Sequence, residues 1–283
     1  MNDWLSAHKI PLGSTMADLV DILTTRFQSV FDWISFLLEA VIEGLTDALL
    51  FIPAPILIVL VALLGWYLHR SIGLIVFIVL GLLLVANLGF WDQTVMTLSQ
   101  VLVATVICVV IGVPIGIAAA HHPRFYAGLR PVLDLMQTVP TFVYLIPTLI
   151  LFGLGVVPGV ISTVIFSIPA PIRLTHLGIS SVPTQLFEAG KAFGATKRQL
   201  LYKIELPYAM PTIMAGITQC IMLSLSMVVI AALVGADGLG KPVVRALNTV
   251  NIAMGFEAGL AIVILAIILD RVCKMPDAKR KGN

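Results

Sequence analysis

The sequence predicts an all-α, polytopic membrane protein with about seven transmembrane helices preceded by an amphipathic helix. Of its 283 residues, 59% are hydrophobic and 11% are charged, whereas soluble domains have about 45–50% apolar and about 25% charged residues. The apolar residues also occur in long runs that lack charge. A bilayer core about 30 Å thick requires roughly 20 such residues in a helix. A water-soluble core could not accommodate this excess, so we expect a membrane fold.

Seven apolar windows fit the length of a membrane span. They cover residues 48–68, 72–90, 96–120, 132–153, 156–172, 212–235 and 258–269, the last starting near Ile252. Only the fourth window contains a carboxylate, that of Asp134, and it lies close to one end. We therefore predict a transmembrane domain over 48–272 and a tail over 273–283.

The region 1–47 is expected to form the amphipathic helix. From Leu19 to Leu45, apolar residues recur at helical spacing with acidic residues and Arg26 between them, a pattern typical of a helix with one apolar face. Two locations stay open for this helix. It could lie in the outer membrane interface, or it could pack against the spans.

Basic residues predict the orientation, because cytoplasmic loops near span ends carry an excess of Lys and Arg. Alternate connections place thirteen of the 17 basic residues on one side and leave four on the other, namely Lys9, Arg26, Lys241 and Arg245. The thirteen-residue side should be cytoplasmic. The N-terminus is then expected outside and the C-terminus inside.

The segment 173–211 is the longest hydrophilic interruption on the predicted cytoplasmic side. Pro183 and Thr184 suit the first turn of a short helix, and Gly194 suits the turn at its end. Pro207 is expected to stop a second helix. Two short helices joined at a glycine can present a rigid surface to a partner.

This segment resembles the EAA motif of ABC importer permeases. The residues that match are Glu188, Ala189, Gly190, Gly194, Ile204, Leu206 and Pro207. The resemblance implies that 173–211 is a coupling loop that docks on a separate ATPase subunit. Gly190 departs from the family pattern, which has alanine, at a cost of about 1 kcal/mol of helix propensity that docking could offset.

The resemblance extends over roughly 95–272 and is to the glycine betaine, proline betaine and choline permeases. The stretches LDLMQTVPTFVYLIP, LPYAMPTIMAGI and LSMVVIAALVGADGLG carry it. The short N-terminal region and GADGLGKPVVRALNT are most similar to choline permeases.

The resemblance implies a permease of the bacterial inner membrane that moves a quaternary ammonium solute, either choline or a betaine. Its implied partners are a second copy of the chain, two cytoplasmic ATPase subunits that hydrolyse ATP, and an extracytoplasmic solute-binding protein. Contacts with membrane lipid are expected. No catalytic residue, cofactor or metal is expected in this chain. No nucleic-acid partner is expected either, because the net charge is only +2 and nucleic-acid binding requires clustered basic residues.

Polar residues in the fourth window suggest a translocation pathway. Gln137 and Tyr144 lie in an apolar stretch that Pro140 interrupts. Hydrogen bonding between helices would account for them equally well. A quaternary ammonium group is recognised by aromatic faces, so the candidate pathway residues are Gln137, Phe142, Tyr144 and Phe166.

Two further patterns indicate packing rather than chemistry. Gly112, Gly116 and Ala120 form a row of small residues in the third window, which favours a close approach of another helix. His121 and His122 adjoin at the end of that window. Adjacent residues face different ways on a helix, so we expect interfacial side chains and not a metal site.

Two other functional classes stay open. A secondary transporter or channel for a small organic cation would normally place titratable groups at mid-membrane, and the span centres contain none. A membrane-embedded enzyme would show a catalytic cluster at one depth, and none is evident.

Overall fold

Helices make up the regular secondary structure of residues 12–274, the part of the chain that this computed structural model describes. A π-helical turn, Leu201–Glu205, joins the tenth helix to the eleventh, and the 3₁₀ turn Ala232–Val234 follows the eleventh. The helices are α1 (Leu12–Leu50), α2 (Ala54–His69), α3 (Ile72–Asn87), α4 (Trp91–His121), α5 (Pro123–Thr138), α6 (Thr141–Phe152), α7 (Val156–Ser167), α8 (Pro169–Ser180), α9 (Thr184–Ala192), α10 (Lys197–Leu200), α11 (Leu206–Ala231), α12 (Gly240–Asn248) and α13 (Ile252–Cys273). The predicted tail lies outside the described residues, apart from its first two.

Four helical segments in this part of the chain are long and apolar enough to cross a membrane individually. They are α4, α7 with α8, the continuous stretch Lys197–Val234, and α13. The bent pairs α1–α2 and α5–α6 bring the number to six if each forms one span. Helix α3 has 16 residues and is about 24 Å long, short of the roughly 30 Å core. The all-α polytopic fold is confirmed, and the count of seven spans stays a prediction.

The apolar window over 132–153 contains two helices, because α5 and α6 meet at 96° at the proline that interrupts it. Val139 and Pro140 interrupt the helix with ψ values of 130° and 133°. A proline clashes with an α-helical conformation of the preceding residue and lacks an amide hydrogen. The chain is therefore forced into an extended corner at this point.

A second corner separates α1 from α2, which meet at 101°. Helix α1 runs to Leu50, and Pro53 then caps α2 in an extended conformation. The first apolar helix after the corner thus starts at Ala54, six residues later than the predicted start at residue 48. The apolar run crosses the corner, so its composition did not reveal the break.

Helix α1 packs against the spans through its C-terminal half, which favours the second of the two locations considered for it. Ile42 is buried against Val103, Ala104 and Val160. The ring of Phe31 meets that of Phe152 edge to face, with centroids 5.2 Å apart. Trp33, by contrast, is 63% exposed, so the opposite side of the helix is free of the bundle.

Helix α8 lies against α4 along the row of small residues. A Cβ atom on Gly116 would come within 2.7 Å of the carbonyl oxygen of Ile172, and one on Gly112 would meet the Pro171 ring at 3.1 Å. The close packing predicted from this row is confirmed. Helix α8 continues to Ser180, so the first residues of the predicted coupling loop are helical, and Arg173 donates to Asp134 of α5 at 2.7 Å.

We expect Gly116→Ala to destabilise the protein. The added methyl would lie 2.6 Å from Cβ of Thr175 and would also face backbone, and overpacking of this kind costs about 1–3 kcal/mol. Gly128→Ala on α5 is the matched control, because no atom of the described residues lies within 4 Å of its Cβ position. The midpoint of thermal unfolding in detergent should fall for Gly116→Ala alone. Equal shifts in both variants would contradict the packing argument.

Candidate coupling site

Helix α9 carries the first residues of the EAA-like motif. It begins at Thr184 directly after Pro183, as predicted. Glu188 and Ala189 are exposed on it. Within residues 12–274, the Glu188 carboxylate has no ion-pair partner. An exposed and unpaired carboxylate on a short helix is available to another chain.

Gly194 forms the turn that ends α9, as predicted. Its φ of +74° is in the left-handed region. The Gly194 amide donates to the carbonyl of Lys191 at 2.9 Å, and the Ala195 amide donates to that of Gly190 at 3.0 Å. This pair of bonds defines the Schellman motif, which favours glycine at the left-handed position. The turn is thus fixed by backbone geometry.

Gly190 allows α9 to approach the following helices. A Cβ atom here would lie 2.6 Å from side-chain methyl carbons of both Leu200 and Ile204. Leu200 is itself buried. The departure from alanine at this position, which the sequence explained only as a loss of helix propensity, coincides with a contact that a methyl group would crowd.

The second half of the motif continues directly into a span. Thr196 caps α10 in a reciprocal capping box with Gln199, and the π-helical turn follows. The expectation that Pro207 stops a helix is wrong, since Lys197–Val234 runs as one helical stretch. The Leu206 amide bonds to Leu201, five residues back. Pro207 then occupies the first turn of α11, where its missing amide hydrogen costs little.

Large apolar side chains surround this segment on its outer surface. Phe193, next to the Gly194 turn, is 92% exposed, and Tyr202 of the π-helical turn is 67% exposed. Leu186 of α9 is 45% exposed. Clusters of exposed apolar residues with a polar rim mark interaction surfaces. The geometry suits a protein partner at this surface.

Comparison with known proteins assigns the chain to a family. Residues 112–280 match the family described as "Binding-protein-dependent transport system inner membrane component". The chain is 47% identical to the glycine betaine transport system permease protein OpuAB of Bacillus subtilis (strain 168), over 97% of both chains. The chain belongs to this permease family. It is a multi-pass inner-membrane component of an ABC importer and not itself the catalytic subunit.

Two other relatives bear on the subgroup. The glycine betaine/proline betaine permease ProW of Escherichia coli (strain K12) is 45% identical over 97% of this chain and 78% of its own length. The choline permease OpuBD of Bacillus subtilis (strain 168) is 38% identical over 50% of this chain and 63% of its own. These betaine permeases therefore match more of the chain than that choline permease does. This differs from the expectation that the chain is most similar to choline permeases.

A solved structure shares the permease fold. The MetNI methionine ABC transporter in an inward-facing conformation superposes with a TM-score of 0.57 at 21% identity, covering 64% of this chain and 90% of that chain. At this level of identity the similarity concerns the fold alone.

The four candidate pathway residues do not form an aromatic cage within one copy of the permease. The Tyr144 hydroxyl donates to the carbonyl of Met136 at 2.8 Å across the α5–α6 corner, and Gln137 lies half-buried at the same corner. Phe142 is 56% exposed on α6, and Phe166 lies half-buried on α7. No ring pairing joins these aromatics in the described part of the chain. Tyr144 thus stabilises the corner.

Sequence reasoning missed one polar contact beneath the coupling segment. Nε2 of His121, at the end of α4, lies 2.9 Å from a carboxylate oxygen of Glu205 in the π-helical turn. We had expected His121 to be an interfacial residue. An acidic residue among apolar neighbours just before Pro207 was the available signal, but the partner lies 84 residues away.

Proposed function

We propose that this permease imports a quaternary ammonium solute, a betaine or choline. The main support for this proposal is the 47% identity with a glycine betaine permease over nearly the full length of both chains. A 45% identical relative is named for glycine betaine and proline betaine. The solute class follows from these relatives, and the residues that contact it are proposed to include Gln137, Phe142, Tyr144 and Phe166.

We also propose the assembly in which the permease operates. Two copies of the chain form the membrane unit, two cytoplasmic ATPase subunits hydrolyse ATP, and an extracytoplasmic binding protein delivers the solute. The exposed surface of α9 and the turn at Gly194 supports a docking role. Glu188, Ala189, Gly190, Gly194, Ile204, Leu206 and Pro207 constitute the proposed coupling segment within 173–211.

The proposed orientation places the N-terminus outside and the coupling segment inside. Single cysteines replacing Asp92 and Leu154, which are exposed, should react with an impermeant maleimide added to intact cells. A cysteine replacing Lys197, also exposed, should react only after the membrane is permeabilised. The native cysteines Cys108, Cys220 and Cys273 are replaced beforehand to remove background. The reverse labelling pattern would invert the topology.

The transport mechanism is tested in cells that carry the complete complex. Uptake of radiolabelled glycine betaine should require ATP and persist when a protonophore collapses the proton gradient at constant ATP. Excess unlabelled choline then separates a betaine-selective system from a broader one by competition. Loss of uptake on collapse of the gradient alone would favour a secondary transporter for a small organic cation.

The reason for expecting ATP dependence lies in the charge distribution of the spans. Proton- or ion-coupled transporters usually carry ionisable residues near mid-membrane despite a cost of about 2.5–3.5 kcal/mol each on insertion scales. The ionisable residues of α13 lie towards its ends, with Glu257 in its second turn and Asp270 and Arg271 in its last. The Asp, Glu, His, Lys and Arg residues of helix α4 are Asp92 and His121, at its two ends.

A further inference from the structure

Glu205 is a buried carboxylate at the junction between the coupling segment and a span. It is 5% exposed, and it is the only buried residue with a formal charge in residues 12–274. Burying a charged group without a partner is strongly destabilising. The site must therefore provide a hydrogen-bond donor to the carboxylate.

His121 provides that donor from a different helix. Its Nε2 lies 2.9 Å from Oε2 of Glu205. Both the neutral ring protonated at Nε2 and the imidazolium ion carry a hydrogen on this atom, so either form donates to the carboxylate. His121 is the last residue of α4, the helix that packs along α8 and α11. The contact thus joins α4 to the base of α11.

Two cavities border the contact. A cavity of about 480 Å³ is lined by His121, Glu205 and Phe187 together with residues of α10. A second cavity of about 220 Å³ is lined by the same three residues and by Ile179 and Val182 near the end of α8. Helix α9, which carries Phe187, therefore lines both cavities together with His121 of α4.

The close contact of α9 with the next helices is at Gly190, against Leu200 and Ile204. Ile204 is adjacent to Glu205 within the π-helical turn. Such turns are uncommon and are frequent at functional sites. A displacement of α9 can reach the spans along this line of contacts, from Gly190 to the π-helical turn and from Glu205 to His121.

We infer that the His121–Glu205 hydrogen bond is a positioning contact that transmits movement of the coupling segment to α4 and α11 together. The inference rests on the proposed function, because it assigns a role within ATP-driven coupling. Neither residue touches the solute or ATP in this role. Loss of the bond should leave ATP hydrolysis intact but separate it from solute movement.

The test measures the number of ATP molecules hydrolysed per glycine betaine imported, in proteoliposomes containing the complete complex and loaded binding protein. His121→Leu removes the donor and should raise this ratio at least fivefold. His121→Gln keeps an N–H donor and should stay within twofold of the parental ratio. A parental ratio in His121→Leu, or an equal rise in both variants, would overturn the inference.

A double variant separates coupling from folding. His121→Leu alone leaves a buried carboxylate unpaired and can lower abundance, whereas replacing both partners by apolar groups is often tolerated. His121→Leu with Glu205→Leu should therefore be as abundant as the parental protein and still show the raised ratio. A parental ratio in this double variant would show that the bond serves folding alone. Absence of ATP-dependent uptake in the parental complex would instead overturn the proposed function itself, and the inference with it.

Discussion

Gly194→Val is expected to reduce uptake about tenfold while the protein still inserts into the membrane at the parental level. The residue has a φ of +74°, and the left-handed region costs an L-residue about 1–2 kcal/mol. Valine is more restricted still, since β-branched residues are outliers there. A cost of about 1.4 kcal/mol is a factor of ten in the equilibrium constant for forming the turn. Uptake and membrane abundance are measured together.

Gly194→Asn is the matched control, because asparagine tolerates the left-handed conformation better than other residues. Among residues 12–274, no atom lies within 4 Å of the Cβ position, so crowding by these residues does not explain an effect. Retained uptake in Gly194→Asn would identify the backbone angle as the cause. Equal loss in both variants would point to side-chain volume at the partner surface, and parental uptake in Gly194→Val would contradict a role for the turn.

Local signals account for the parts of this site that the sequence predicted well. Pro183 fixed the start of α9, Gly194 fixed its end, and Asn251 caps α13 at the predicted start, Ile252, by accepting a hydrogen bond from the Met254 amide. Each of these features depends on residues within a few positions of one another. Such signals can be recognised in a single sequence, because the proline ring, the glycine backbone and the capping side chain each determine the conformation of residues next to them in the chain.

Signals that depend on competing effects were interpreted less well. Pro140 interrupts an apolar window and Pro207 precedes one, yet the chain bends by 96° at the first and continues as an unbroken helical stretch through the second. The difference comes from the π-helical turn before Pro207, which shifts the hydrogen-bond register by one residue. No local sequence pattern predicts the π-helical turn. It is formed where Leu200 and Ile204 pack beneath Gly190.

Contacts between distant residues were beyond sequence reasoning. His121 and Glu205 are 84 positions apart, and the pairing depends on how the end of α4 meets the start of α11. The row of small residues in α4 predicted a close neighbour, but it did not say which helix. The structure identifies α8, with Thr175 and Ile172 against Gly116. Periodicity thus predicts a face, while the partner of that face depends on the tertiary fold.

Glu188→Lys is expected to detach the ATPase subunits and abolish uptake. The carboxylate is exposed and has no ion-pair partner in the part of the chain that the structure describes, so a reversal of its charge should act mainly on a partner. Lys191 lies one turn further along α9, its ammonium 4.5 Å from the centroid of the Phe187 ring. A lysine at 188 would therefore add repulsion within α9 as well. Measured coupling between close charges across protein interfaces is about 1.5–7 kcal/mol, which corresponds to at least a tenfold loss of binding.

Two variants locate the effect of the charge. Glu188→Gln removes the charge without reversing it and should lose less of the ATPase than Glu188→Lys does. Gln185→Lys adds a positive charge at another exposed position of α9 and should keep both the ATPase and uptake. The measurements are the amount of ATPase that co-purifies with the tagged permease, its stimulation by loaded binding protein, and uptake at equal membrane abundance. If Glu188→Lys retained the ATPase and transported at the parental rate, α9 would not be the coupling helix. If Gln185→Lys failed equally, the net charge of α9 would be the determinant, and Glu188 would have no specific role.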